Sequence, residues 1–145
     1  MCIRDSALLE GHFILSSGLH SSKYIQCAKL LSYPEQAVAI CSSLCEKIKK
    51  NFSEIDLILS PAIGGIVVGY EVSRQLNVKN VFAERLDGKL LLRRGFVIPK
   101  NSKVLIVEDV ITTGKSALEC SDLVRNCKAN LVAVSYTHLT LPTKA

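Results

Sequence analysis

Residues 104–116 read Val-Leu-Ile-Val-Glu-Asp-Val-Ile-Thr-Thr-Gly-Lys-Ser. A β-branched, apolar run leads into two adjacent carboxylates, Glu108 and Asp109, and then into a hydroxyl-rich turn. Such a run suits a buried parallel strand, and the carboxyl end of that strand is where open α/β sheets bind ligands. Adjacent carboxylates repel, so a ligand must offset them. Sugar hydroxyls can donate hydrogen bonds to them, and a hard divalent cation such as Mg²⁺ can neutralise their charge. Thr112, Thr113, Gly114 and Ser116 add hydroxyls, backbone N–H groups and the positive end of a helix dipole, which suits a dianionic phosphate. The pattern predicts one element that holds both ends of a phosphorylated sugar. The plainer alternative is a helix cap behind a solvated turn, but the strand, the acid pair and the phosphate turn follow one another in the order a site requires. Gly114-Lys115-Ser116 mimics the end of a Walker A loop, yet Asp109 stands where that loop's first glycine belongs.

Three other segments carry chemistry. Pro-Ala-Ile-Gly-Gly at residues 61–65 follows an apolar run and precedes an amphipathic one, so its glycines can bring backbone amides close to a pyrophosphate. An ordinary strand-to-helix turn is the alternative. Residues 84–94 set Arg85, Lys89, Arg93 and Arg94 around a glycine-containing turn, a composition suited to a mobile flap closing over phosphates or, more simply, to a solvated β-hairpin. Residues 11–24 are dense in hydroxyls around two aromatics and suit one wall of a pocket for a planar base. His12 and His20 lie in this stretch but are assigned no catalytic role, because an exposed or locally hydrogen-bonded histidine is the commoner case.

These segments need a scaffold. At 145 residues and 48% hydrophobic, the chain supports one domain with a real core and is too short for two. A helix is predicted from Pro34, with Glu35 in its first turn, Val38, Cys41, Leu44, Cys45 and Ile48 on its apolar face, and lysines at its end. A short strand over residues 56–60, a helix over 66–76, a strand over 80–83, the acid-bearing strand, a helix over 115–126 and a strand over 130–134 complete the alternation. That order predicts an α/β fold with a doubly wound, mostly parallel sheet flanked by helices. The net charge of +5 is modest and its basic residues are interrupted by acids, favouring small anions over a nucleic-acid face. The six cysteines form no CxxC pair and are expected as reduced thiols. No leader and no membrane-length apolar run is evident, which predicts a cytoplasmic protein without a membrane partner. Residues 1–6 and 135–145 resemble translated adapter read-through, leaving 7–134 as the expected domain, incomplete at its carboxyl end.

Over residues 7–134 the chain resembles the type I phosphoribosyltransferases, and within them the orotate phosphoribosyltransferases. Residues 104–116 carry the broader likeness. Residues 11–26 (GHFILSSGLHSSKYIQ), 60–65 (SPAIGG) and 84–96 (ERLDGKLLLRRGF) carry the narrower one. The resemblance implies Mg²⁺-dependent transfer of a phosphoribosyl group from 5-phosphoribosyl 1-diphosphate (PRPP) to orotate, within pyrimidine synthesis, by a homodimer with no nucleic-acid partner. It assigns Glu108 and Asp109 to the ribose hydroxyls, and Val110, Ile111, Thr112, Thr113, Gly114, Lys115 and Ser116 to the 5′-phosphate. It assigns Ala62, Ile63, Gly64 and Gly65 to the pyrophosphate, and Ser16, Ser17, Gly18, Tyr24 and Thr112 to orotate. Lys89, Arg85, Arg93 and Arg94 would stabilise the leaving group, Lys89 foremost, and Mg²⁺ would be held mainly through PRPP rather than by protein ligands. Ser16 and Gly64 stand where many members carry lysine, and an orotate-contacting arginine implied beyond residue 134 is replaced by the tail. A purine-type phosphoribosyltransferase and a PRPP-sensing, RNA-binding regulator remain alternatives on the sequence.

Overall fold

The computed structural model describes residues 7–14 and 18–139. In chain order they form β1 (Leu8–Ile14), β2 (His20–Ile25), α1 (Cys27–Leu31), α2 (Pro34–Asn51), β3 (Leu57–Pro61), α3 (Gly64–Leu76), β4 (Lys79–Leu86), β5 (Lys89–Leu92), β6 (Lys103–Ile111), α4 (Lys115–Asn126) and β7 (Asn130–Leu139). β1 and β2 make a separate antiparallel hairpin. The main sheet runs β5-β4-β3-β6-β7, parallel except for the antiparallel edge pair β4–β5.

Alternation along the two central strands builds the core on both faces of the sheet. Ile58, Leu105 and Val107 meet Cys41, Cys45 and Ile48 of α2 and Val68 and Val72 of α3 on one face. Leu57, Leu59, Val104 and Ile106 meet Cys120 and Val124 of α4 on the other. β3 leads through α3 to β4 on one side, whereas β6 leads through α4 to β7 on the other. The order of connection therefore reverses between β3 and β6, and the crevice at their carboxyl ends is where a doubly wound sheet accepts a ligand.

Local chemistry explains most boundaries. α2 begins with Pro34 in its first turn, carries Glu35 there, and ends in Lys49 and Lys50, as its dipole favours. Its buried stripe is Ala37, Cys41, Cys45 and Ile48, so Val38, expected inside, is instead 41% exposed. The expected strand over 80–83 extends to Leu86 and folds back through Asp87-Gly88, whose positive φ values of 49° and 80° suit a tight two-residue hairpin turn. The basic segment is thus a β-hairpin built onto the sheet. β7 continues past residue 134 and pairs with β6 as far as Ile111 opposite Leu139. Cys27, Cys41, Cys45, Cys120 and Cys127 are free thiols. Residues 1–6 and 140–145 lie outside the described residues, and among the described residues no helix is long and apolar enough to cross a membrane.

Leu105 is fully buried at the centre of the sheet. Leu105→Ala is expected to cost about 2–5 kcal/mol, read as a shift in the urea midpoint with an unchanged slope.

Candidate active site

The site grows from a mismatch in the pairing of β6. Its ladder with β3 is registered from Val104 to Ile106, while its ladder with β7 runs on to Ile111. Residues beyond Ile106 are therefore held on one side and open on the other. The expected strand of four residues is nine long, and it carries both acids inside it. Successive side chains point to opposite faces, which separates the two carboxylates. Glu108 shares the face that α4 covers. It is 9% exposed, and its Oε2 is buried without a hydrogen-bond partner. Burial, and secondly the charge of Asp109, push its carboxyl up from 4.5 to about 7. Asp109 lies towards α3, against Gly64: a Cβ there would sit 2.7 Å from Asp109 Cγ and 2.8 Å from Oδ1. Only glycine lets the loop after β3 close onto that carboxylate without displacing it. The Thr137 hydroxyl of β7 donates to the Asp109 carbonyl at 2.6 Å, fixing the backbone from the far side.

Two cavities adjoin across this strand end. One, of about 810 Å³, lies between the β1–β2 hairpin and β6, with His12, Phe13 and Tyr24 opposite Glu108, Asp109 and Thr112. The second, of about 610 Å³, is lined by Arg85 and Gly88 of the β4–β5 hairpin and by Glu108 and residues 112–116. Glu108, Thr112 and Ser116 border both. Gly114, with φ of 77°, is the N-cap of α4 and Ile63 that of α3, and neither gives a side-chain cap. Two sets of first-turn amides therefore open beside the crevice, where an anion can accept from them.

The sequence-predicted residues divide accordingly. Val110 lines the first cavity; Thr113, Gly114 and Lys115 line the second; Ile111 ends β6 and borders neither. Tyr24 and Thr112 line the first cavity, Gly18 is exposed away from it, and Ser16 and Ser17 lie outside the described residues. Ala62, Ile63, Gly64 and Gly65 border neither cavity. The loop reaches the site through Gly64, while the Ala62 N–H donates to Ala83 at 2.7 Å and Ile63 is 85% exposed. Of the four cations, Arg85 alone borders a cavity. It donates to Glu119 of α4 at 2.7 and 3.3 Å and to the Gly88 carbonyl at 2.7 Å. Arg94 is instead held by Glu84 at 2.8 and 2.9 Å and lies over the Phe82 ring, and Lys89 and Arg93 are exposed outside both cavities. Sequence reasoning missed Glu119, whose i,i+4 spacing from Lys115 was the available sign, and Cys27, a buried cavity residue whose thiol burial and Asp109 push up to about 11. Among the described residues, no three His, Cys, Asp or Glu side chains are grouped to hold a metal ion.

The phosphoribosyl transferase domain profile matches residues 31–139. Over 130 residues the chain is 52% identical to the orotate phosphoribosyltransferase of Caldicellulosiruptor bescii, covering 90% of this chain and 67% of that protein. The chain belongs to the orotate phosphoribosyltransferase family. The orotate phosphoribosyltransferase of Carboxydothermus hydrogenoformans is 50% identical over 133 residues, with 92% and 70% covered. This family chain thus spans about two thirds of the length of these relatives. In fold it is similar to the orotate phosphoribosyltransferase structure from Aeropyrum pernix, with a TM-score of 0.76 at 21% identity over 92% of this chain and 88% of that one. The adenine phosphoribosyltransferase structure from Saccharomyces cerevisiae gives 0.73 at 22% identity, with 92% and 84% covered. At such identities these structures establish the type I phosphoribosyltransferase fold alone.

Because folding raises the Glu108 carboxyl from 4.5 to about 7, the unfolded chain loses that proton first, and stability falls as pH rises through this window. Glu108→Gln removes the cost of the ionised form. Its melting temperature is expected to exceed that of the parent by about 2–6 °C at pH 8, with a much smaller gain at pH 5, in ligand-free thermal denaturation.

Proposed function

We propose that this chain is an orotate phosphoribosyltransferase: it moves the 5-phosphoribosyl group of PRPP onto orotate, releasing pyrophosphate and orotidine 5′-monophosphate, as a cytoplasmic step of pyrimidine synthesis. The observation that carries this reading is the wall formed by Glu108, Thr112 and Ser116, which border both of two adjoining cavities. A ribose bridging that wall puts its 5′-phosphate beside the α4 amides and its anomeric carbon towards the larger cavity, where the Phe13 and Tyr24 rings, 5.5 Å apart, suit a planar base.

Mg²⁺ fits this donor set, with hard carboxylate oxygens and the partnerless Oε2 of Glu108 nearby; held mainly through PRPP, it would supply charge neutralisation at the departing pyrophosphate. The bond from the anomeric carbon to pyrophosphate breaks before the bond to the orotate nitrogen forms, so the ribose becomes oxocarbenium-like, and the proton of that nitrogen passes to solvent. Glu108 and Asp109 accept from the ribose hydroxyls and oppose the developing positive charge. Thr113, Ser116 and the α4 amides hold the phosphate, which fixes the sugar for in-line attack. Glu119 holds Arg85 at the cavity edge until the more highly charged diphosphate competes for it. Lys89, on the same hairpin, reaches the leaving group when the hairpin closes as a flap.

A homodimer accords with this reading. Val67 and Tyr70 of α3 and Val38 of α2 are 48%, 63% and 41% exposed, an apolar face beginning next to the Gly64 loop that a second copy would cover. Tyr70→Arg is expected to shift sedimentation equilibrium towards monomer.

Loss of orotate absorbance on adding PRPP and Mg²⁺ tests the reaction. Turnover with adenine or hypoxanthine instead would replace orotate as the acceptor. Asp109→Asn is expected to weaken PRPP binding by about tenfold or more, a change of roughly 1.4 kcal/mol, and Lys115→Ala by about threefold at most, because backbone amides supply much of the phosphate grip. Equal losses in a calorimetric PRPP titration would sink that division of roles.

A further inference from the structure

Among the described residues, two cations border the smaller cavity, Arg85 and Lys115, and both turn to one carboxylate that lies outside its lining. Arg85 donates to Glu119 with both ends of its fork, Nη2 to Oε2 at 2.7 Å and Nη1 to Oε1 at 3.3 Å, and Lys115 Nζ lies 4.0 Å from the same Oε1. The cavity read above as a phosphate site therefore holds its bordering cations against a counterion of their own.

The geometry is one of exchange. The Arg85 and Glu119 side chains are 38% and 26% exposed, so water screens the pair, and screened pairs are weak enough to part. Nη1 also donates to the Gly88 carbonyl at 2.7 Å, which links the turn of the β4–β5 hairpin to α4 through this one guanidinium. These bonds leave the Nε–H and the second Nη2 hydrogen together on the other edge of the fork, with no partner among the described residues. An oxygen of a diphosphate can dock on that open edge while Glu119 still holds the first. It then draws the fork away, because a multiply charged anion attracts the guanidinium more strongly than one carboxylate does. Lys115, one turn before Glu119 on α4, stays within reach, so the carboxylate keeps a partner when Arg85 leaves.

We propose that Glu119 is a positioning residue for product release: it yields Arg85 to the diphosphate and reclaims it afterwards, which shortens the stay of pyrophosphate. This inference rests on the phosphoribosyl-transfer reading above. Glu119 touches no phosphate and acts through Arg85. A structural brace has the opposite consequence, since a carboxylate that merely pinned the hairpin to α4 would, once removed, leave Arg85 less well placed and weaken anion binding.

Titration of the full chain with inorganic pyrophosphate and Mg²⁺ separates the two roles by sign. Glu119→Gln, which keeps the side-chain shape and removes the charge, is expected to bind pyrophosphate about three- to tenfold more tightly than the parent chain. Stopped-flow displacement should place that gain in a slower off-rate. Glu119→Asp, which restores the charge, should return most of the parental off-rate. In an Arg85→Ala background the Glu119→Gln change should alter affinity by less than about twofold, as a residue acting through Arg85 requires. Unchanged or weaker pyrophosphate binding by Glu119→Gln overturns the proposal, and so does a gain that survives in Arg85→Ala. A parent chain that neither binds pyrophosphate nor consumes orotate with PRPP refutes the transfer reading itself, whereas a parent chain that does both leaves the fate of Glu119 to the variants.

Discussion

The arrangement depends on one uneven ladder. β6 is gripped by β3 and β7 through its first residues and by β7 alone thereafter, so the strand is carried beyond the core without losing its direction. That overhang carries two carboxylates to the margin of the packed interior while their backbone stays fixed. It also imposes a cost: Glu108 Oε2 is sequestered from water and has no partner. Unpaired buried acceptors are destabilising, and they persist where a ligand completes them. The ribose hydroxyls of the proposed substrate are the natural complement.

Around the overhang, the remaining elements divide the work by chemistry. Helices α3 and α4 start at adjacent strand ends, leave on opposite faces, and lack side-chain caps, so their unpaired amides flank the same crevice. The β1–β2 hairpin contributes rings and imidazoles but no strong cation among its cavity residues. The β4–β5 hairpin and the residues after it contribute two guanidinium groups held by Glu119 and Glu84, beside the exposed Lys89 and Arg93. Positional accuracy comes from the sheet and adaptability from the hairpins, which is the usual division between scaffold and loop.

What could be read from the sequence was local or short in range. The alternation of apolar runs and amphipathic stretches sufficed for the doubly wound class, and α4 falls on residues 115–126 as its pattern indicated. The acid pair and the hydroxyl-rich turn were legible as a strand end and helix start because strand, turn and helix are contiguous. The stripe on α2 was misplaced by one position at Val38, since periodicity alone does not say which flank of a helix meets its neighbour. The pairing of Arg94 with Glu84 across a hairpin, the clamp of Glu119 on Arg85, and the seating of Gly64 on Asp109 all depend on register or on contacts across many residues. His12 and His20 were noticed as residue types. Their contact, 2.6 Å between His12 Nε2 and His20 Nδ1, was invisible because it requires knowing that one strand carries an extra residue.

The short strand β5 also bears on the solubility of the molecule. It is four residues long, forms one margin of the sheet, begins at Lys89 and is followed by Arg93 and Arg94. A sheet margin with unpaired amides is a template for adding strands from other chains, and short length and positive side chains are among the means by which proteins discourage such growth. The same cations that suit diphosphate binding therefore guard the margin against polymerisation. Replacing them together would remove both an electrostatic attraction for ligand and a barrier to edge-to-edge assembly, so that loss of turnover in such a variant could reflect aggregated protein as readily as altered chemistry.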